Sequence, residues 1–391
     1  MSHLLIIDDD PIVRAALKRT LQNQGYEVTV ASNGEEGVIQ AQQIKPALII
    51  CDWVMEPVDG LEVCRQIKDN PELSATFFIL LTAKGKGSDK ESVDERVKGL
   101  DAGADEFVSK PIDMEEVKAR VRAGLRLYEL NQTLQLQKYA LEALNQELRA
   151  DLDEAAEYVS SLLPSPLAGN ITTEAKFIPS AQLGGDCFDY YWLDSDHLAM
   201  YLLDVSGHGV GSALLSVSVL NVLRTQSLPN TDFCRPSEVL SALNNGFQMS
   251  AQGDKYFTIW YGVYNAVNRQ LVYASAGHPP AVLLFGASET ATQVQLLEST
   301  GMPIGFIPDA DFDEASCEIP PSSTMYIFSD GAYEILLTDT QIWGLEAFIS
   351  FLLDSQQKTN FCLDKLINYI LCLNSKKILD DDLSLLRVNF N

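Results

Sequence analysis

The stretch LLIIDDDP, residues 4–11, decides how the first third of this chain is read. Four apolar residues stop at three acids, and a proline follows where a helix can begin. Short apolar runs recur at 26–30, 47–51, 77–81 and 106–109, with helical spacing between them, as in Val13, Leu17 and Leu21. Strand alternating with helix predicts an α/β, doubly wound, five-stranded parallel sheet, whose functional groups collect at the carboxyl ends of the strands. Those ends hold Asp8 and Asp9, then Asp52, Thr82 and Lys110.

Acids brought together this way raise one another's pKa unless a hard cation is bound, and Mg²⁺ prefers such oxygens. Lys110 adds a fixed positive charge and Thr82 a hydroxyl, a set suited to an aspartate that accepts a phosphoryl group. A plainer role for the acidic triplet is to cap the helix that starts near Pro11. Its coincidence with Asp52, Thr82 and Lys110 at matching strand ends favours the site.

The motifs LLIIDDDP, CDWVMEPVDG (51–60), LLTA (80–83) and GADEFVSKP (103–111) resemble, in this order, a response-regulator receiver domain. The resemblance implies that Asp52 is the phosphoacceptor, that Asp8, Asp9, Asp52 and the Val54 carbonyl surround Mg²⁺, and that Thr82 and Lys110 contact the phosphoryl group. Phe107 falls at the aromatic switch position. Glu56 stands where the family often has proline, with Pro57 one residue later, and residues 85–94 read as slightly long.

A receiver domain is thus expected over 1–124. Over 125–163 the pattern becomes purely helical, with Leu at 127, 134, 141, 148 and 162 and Ala at 155 in a strict seven-residue step. The companion seam at 130, 137, 144, 151 and 158 is half polar. This pattern suits a two-stranded coiled-coil linker, and hence a homodimer. Pro164 and Pro166 end it.

Residues 164–391 are β-rich, with strands expected at 174–178, 198–204, 257–265, 271–275, 324–329 and 383–390, and helices near 210–226, 236–250, 345–354 and 362–373. The order suggests layered α+β around one large core. Four acidic motifs sit beside glycines or at strand ends: LGGDCFD (183–189), LLDVSGHGVGSA (202–213), FSDGAYE (328–334) and DDDLSLL (380–386). A carboxylate set with few His selects Mg²⁺ or Mn²⁺, and two such ions can clamp a phosphate for attack by water.

These motifs, with YFTIWYGVYN (256–265), SAGHPPA (275–281) and GMPIG (301–305), resemble the protein phosphatase 2C (PPM) family in its bacterial sporulation and stress-response branch. The resemblance implies an α-β-β-α sandwich in which Asp204 bridges two metals and the Val205 carbonyl completes one. It further implies that Asp186 binds the second ion, and Asp330 and Asp381 the first. Asp381 is preferred over its neighbours because the family's D-D-x-[TS]-L pattern starts there. After Asp330-Gly331 the chain departs from the family's string with Ala332-Tyr333-Glu334. Near the motifs no arginine stands ready for a substrate phosphate, and His208 and His278 read more readily as packing residues than as acids.

Across 391 residues, 28 Lys and Arg oppose 54 Asp and Glu, a net charge of -26 that argues against nucleic-acid or anionic-membrane partners. Seven scattered cysteines without C-x-x-C spacing point to a reducing, cytoplasmic setting, with neither disulfides nor zinc. The expected protein is a two-component regulator. A sensor histidine kinase phosphorylates Asp52, and a metal-dependent phosphatase acts on a phosphoprotein, by resemblance an anti-sigma-factor antagonist. The rival from another class is a non-catalytic adaptor that binds through the phosphatase-like domain.

Overall fold

The computed structural model describes residues 2–82, 97–286, 292–338, 341–356, 362–374 and 379–391. The chain divides into two compact units, Met1–Gln146 and Glu147–Asn391. Residues 85–94, read above as slightly long, lie outside the described residues, as does Ala83.

The first unit runs β1 (His3–Ile7), α1 (Pro11–Gln22), β2 (Glu27–Ala31), α2 (Gly34–Ile44), β3 (Leu48–Asp52), α3 (Gly60–Asp69), β4 (Phe77–Thr82) and β5 (Glu106–Ser109), then enters α4 (Met114–Ser161). The strands pair in parallel in the order β2-β1-β3-β4-β5. Helices cover both faces, so β1 is apolar without interruption: Leu5 and Ile7 enter one core, Leu4 and Ile6 the other. Strand order reverses between β1 and β3, and the crevice at such a switch point receives Asp8 and Asp52.

Only the first turns of α4 are buried, through Val117, Val121, Gly124 and Leu125. From Leu127 through Leu134, Leu141 and Leu148 the heptad leucines are exposed. The last receiver helix and the heptad segment are thus one continuous helix, which stops at Ser161 ahead of Pro164.

The second unit comprises β6 (Ile171–Ile178), β7 (Cys187–Trp192), β8 (His197–Val205), α5 (Val210–Arg224), α6 (Pro236–Gly246), β9 (Phe257–Asn265), β10 (Gln270–Ala276), β11 (Ala281–Phe285), β12 (Gln293–Leu297), β13 (Glu314–Glu318), β14 (Ser323–Phe328), the small pair β15 (Leu336–Thr338) and β16 (Gln341–Ile342), α7 (Leu345–Gln356), α8 (Leu363–Leu373) and β17 (Leu383–Phe390). Two antiparallel sheets, β13-β10-β9-β8-β7 and β12-β11-β14-β17-β6, form the middle layers.

The expected single core is in fact three apolar layers. Strand β8 shows why: Leu198, Met200 and Leu202 face Met325, Ile327 and Leu386 of the other sheet. Its alternate residues Tyr201, Leu203 and Val205 face Val219, Leu223 and Leu240 of α5 and α6. Likewise Tyr326, Phe328 and Leu385 pack outward on Phe348, Leu352 and Ile370 of α7 and α8. Strands such as β8, β14 and β17 therefore serve two cores each, giving the α-β-β-α order.

Candidate functional site

In the first unit, Asp8, Asp9 and Asp52 bring carboxylate oxygens within 4.8 Å of one another. Asp8 and Asp52 are buried and Asp9 is exposed. The Lys110 ammonium lies 2.8 Å from Asp52 Oδ2 and 3.5 Å from Asp8 Oδ2. Burial raises the Asp8 pKa, and the Asp52 charge adds to this against the Asp10 N–H and Lys110. Burial alone would lower Lys110, but its bond to Asp52 and the two acid charges raise it overall. The capping alternative falls to the third acid: Asp10 Oδ1 accepts the Ile12 N–H at 2.8 Å and caps α1.

Around this cluster, Val54 is exposed on the loop after β3. Thr82 ends β4, where its carbonyl accepts the Lys110 N–H at 2.7 Å. Phe107 packs where a Cβ on Gly99 would come within 2.5 Å of its ring and 3.2 Å of Trp53. Both Glu56-Pro57 and Lys110-Pro111 are cis.

In the second unit, Asp204 sits at the end of β8, Asp186 just before β7, Asp330 just after β14 and Asp381 just before β17. Antiparallel pairing sets Cys187 beside Leu203 and Phe328 beside Leu385, so each sheet brings its two acids to one end. Asp382 ties those ends together. Its Oδ1 accepts the Ser180 N–H at 2.7 Å and its Oδ2 the Gly185 N–H at 2.6 Å, while its carbonyl accepts the Ser329 hydroxyl. The glycines are required by this closeness. A Cβ on Gly184 or Gly331 would overlap Asp382, and one on Gly185 would stand 2.7 Å from the Val205 carbonyl oxygen. The glycine loop turns at Gly207 and Gly209, whose φ values are 77° and 87°.

The electrostatics of this end are unbalanced. Among the described residues, none of the four acids pairs with Lys or Arg. Both Asp186 oxygens and Asp330 Oδ1 are buried without a hydrogen-bond donor in range. Burial drives the Asp186 pKa well up and the charges of Asp204 and Asp382 add to it, with the nearby Ser329 and Ser384 hydroxyls pulling the other way. Burial pushes Asp204 up to about 7 and Asp330 up to about 6, helped in both by the charge of Asp381. Asp381 is raised too, burial outweighing the Asp382 N–H it accepts and the charge of His208. Desolvated acids without a cationic side-chain partner are what a divalent-cation site needs. Among the described residues, no three of the four bring oxygens within 4.8 Å of one another, unlike the receiver acids. The set is spread around a space rather than converged on one point, and a cavity of about 160 Å³ opens at Asp330, Glu334 and Asp381.

Sequence reasoning preferred Asp381 and left its neighbour without a role, whereas Asp382 is the buried brace of the site. It also missed Lys255, whose ammonium donates to Ser212 Oγ at 2.9 Å and to the Ser206 carbonyl at 3.4 Å beside the glycine loop. No motif marked it, and only the pairing of Ser206 with Tyr256 brings it there. His208 is exposed on the loop. His278 is buried with Nδ1 2.9 Å from Thr258 Oγ1, and burial lowers its pKa to about 3, so it is neutral. Asp194, His197 and Cys234 also bring potential ligand atoms within 4.8 Å. Hydrogen bonds account for that arrangement. Asn265 Oδ1 accepts the Val267 and Asn268 N–H groups, so its amide donates to His197 Nε2 and the imidazole proton sits on Nδ1, facing Asp194.

Comparison with known proteins agrees with both halves. The family model for stage II sporulation protein E (SpoIIE) matches residues 194–391, and that for the response regulator receiver domain matches residues 4–122. Response regulator MprA of Mycobacterium leprae is 42% identical over 123 residues, 32% of this chain and 50% of that protein. The phosphate regulon transcriptional regulatory protein PhoB of Rhizobium meliloti is 37% identical over 123 residues, 32% of this chain and 52% of that protein. The chain thus spans about half the length of these curated relatives. The SiaA-PP2C domain of Pseudomonas aeruginosa superposes with a TM-score of 0.53 at 19% identity, covering 64% of this chain and 99% of that one, a likeness of fold.

Proposed function

The chain belongs to the SpoIIE family, carrying a PP2C-type phosphatase domain behind a response-regulator receiver domain, and from that premise we propose that it is a Mg²⁺- or Mn²⁺-dependent protein-serine/threonine phosphatase controlled by phosphorylation of Asp52. In this reading residues 1–124 receive the signal, 125–163 carry it and 164–391 act on it. The observation that carries the reading is the set of buried carboxylate oxygens on Asp186 and Asp330 that have no donor. Such oxygens fit hard divalent cations and little else.

Asp204 and the Val205 carbonyl, with Asp186 on one side and Asp330 and Asp381 on the other, would hold the two ions. When bound, these ions draw charge from the phosphate oxygens and make water a better nucleophile. The chain's own residues hold that arrangement in place. Asp382 fixes the 180–186 loop through the Ser180 and Gly185 amides. Lys255 and Ser212 fix the Ser206 carbonyl. In the receiver, Asp8, Asp9 and the Val54 carbonyl would hold Mg²⁺, while Lys110 and Thr82 steady the phosphoryl group arriving on Asp52 from a sensor histidine kinase.

The exposed leucines of α4 support a parallel homodimer through that helix, since a row of apolar side chains left in water favours burial against a second copy. The substrate in this proposal is a phosphoprotein, by family an anti-sigma-factor antagonist, met in the cytoplasm. The test is hydrolysis of p-nitrophenyl phosphate by the full chain. Turnover that requires Mn²⁺ or Mg²⁺ and is lost in chelator is the expected result. A chain that binds Mn²⁺ yet never turns over would be an adaptor instead.

A further inference from the structure

In the stretch 301–307, three large apolar side chains stand in water: Met302, Phe306 and Ile307 are 42%, 48% and 44% exposed. Their exposure does not come from a loosely held loop. Between them, Ile304 is fully buried and exchanges backbone hydrogen bonds with Phe257. Gly305 accepts the Met249 N–H through its carbonyl and donates its own N–H to the buried Asn244 side chain at 2.8 Å. Its φ is 86°, and a Cβ there would overlap the Phe247 carbonyl, so the loop is pinned tightly against the chain. The apolar side chains on either side are therefore held outward by a fixed backbone.

This surface is continuous with the acid cluster. The Phe306 ring packs edge-on against Tyr256, centroids 5.6 Å apart. Tyr256 exchanges hydrogen bonds with Ser206, its carbonyl accepting the Ser206 N–H at 2.9 Å and its own N–H donating to Ser206 Oγ at 3.1 Å. Ser206 directly follows Asp204 and Val205. Lys255, the residue before Tyr256, donates to the Ser206 carbonyl and the Ser212 hydroxyl of that loop.

We propose that Met302, Phe306 and Ile307 seat the apolar side chains that flank the phosphoserine of the substrate protein. The inference rests on the phosphatase reading above and adds a substrate preference to it. Position supplies the reason for choosing this occupant. Through Tyr256, the Phe306 ring adjoins Ser206, the residue that follows Asp204 and Val205. Side chains flanking a phosphoserine attacked there meet this surface, and a rigid apolar contact close to the reacting phosphate supplies short-range affinity.

The test compares three substrates of the full chain with Mn²⁺: p-nitrophenyl phosphate, a phosphoserine peptide flanked by Leu and Phe, and one of equal length flanked by Ser and Gly. The wild-type protein should favour the apolar peptide by about tenfold in kcat/KM, as expected for one buried side chain. Phe306→Ser and Ile307→Ser should each reduce that preference to below about threefold, through KM, and leave p-nitrophenyl phosphate turnover within about twofold. Absence of the preference in the wild type, or its survival in both variants, overturns the docking surface while the phosphatase reading stands. A change in sedimentation on Phe306→Ser also overturns it, because the strip would then be a contact between copies. Failure of the wild type to hydrolyse p-nitrophenyl phosphate overturns the phosphatase reading and this inference with it.

Discussion

At the carboxyl end of β3, Asp52 has the Lys110 ammonium 2.8 Å from one of its oxygens. In the second unit, Asp186 and Asp330 have no such partner among the described residues, and both Asp186 oxygens and Asp330 Oδ1 are buried without a close hydrogen bond. Both regions gather acids at strand ends, yet one carries its own counter-charge and the other leaves the charge open. A built-in ammonium lets a carboxylate nest exist before any ion arrives. In the proposed function, a nest without one takes its cations from solution, and ion occupancy then bears on activity.

The sharpest way to break this comparison is to remove one acid from each nest. Asp204→Asn should lower Mn²⁺-dependent p-nitrophenyl phosphate hydrolysis by more than about 10²-fold, since it removes a full charge from the ion site. The same variant should still label on Asp52 with acetyl phosphate, while Asp52→Ala should lose the label and keep basal hydrolysis. Near-normal turnover of Asp204→Asn at saturating Mn²⁺, or label persisting in Asp52→Ala, would show that the sites are wrongly drawn.

A smaller effect is expected along α4. Leu141→Asp removes an apolar side chain from its exposed seam and, in the proposed dimer, places two acids across the axis. The lost burial, roughly 2 kcal/mol per chain, should favour monomers at micromolar concentration. Sedimentation should show the monomer, and p-nitrophenyl phosphate turnover should persist without response to Asp52 phosphorylation. A variant that stays dimeric and regulated would reduce α4 to a spacer.

The smallest effect tests the open charge directly. In the folded chain Asp204 and Asp330 titrate near 7 and 6, above the 3.8 of an unperturbed aspartate. Between those values the folded state holds more protons than the unfolded one, so stability falls as pH rises through that window. In chelator, melting followed by tryptophan fluorescence should therefore drop by roughly 5 °C from about pH 5 to about pH 8. Mn²⁺ should flatten the slope by replacing the protons. A metal-free protein equally stable at both pH values would mean the acids are less crowded than the structure places them.

Much of this was legible in the residues themselves. Strands β1, β3 and β4 are buried on both faces, so their apolar runs stop at the candidate site residues Asp8, Asp52 and Thr82. The strands that escaped reading are those whose patterns are diluted. Strand β7 carries Asp189, held inside by Arg224 at 2.8 Å. At its edge of the sheet, β13 alternates exposed and half-exposed residues, and β12, at the edge of the other sheet, buries only Leu297. Short β11 follows two prolines. Edge strands bury too little to announce themselves through hydrophobicity.

What the sequence determined by itself was the inventory: which strand ends carry acids, that Lys110 joins the first set while no arginine stands near the second, and that a heptad helix follows the receiver. The tertiary structure decided which side each residue faces. Adjacent residues on extended chain point in opposite directions, so alternate residues of β8 enter different cores and one expected core became three layers. A bend at 380–381 separates the acid triplet before β17. Asp382 turns inward to brace Ser180 and Gly185, and Asp381 is left beside Asp330 at the cavity. Register across the sheets sets that choice, through contacts roughly two hundred residues apart in the chain, which no local pattern can encode.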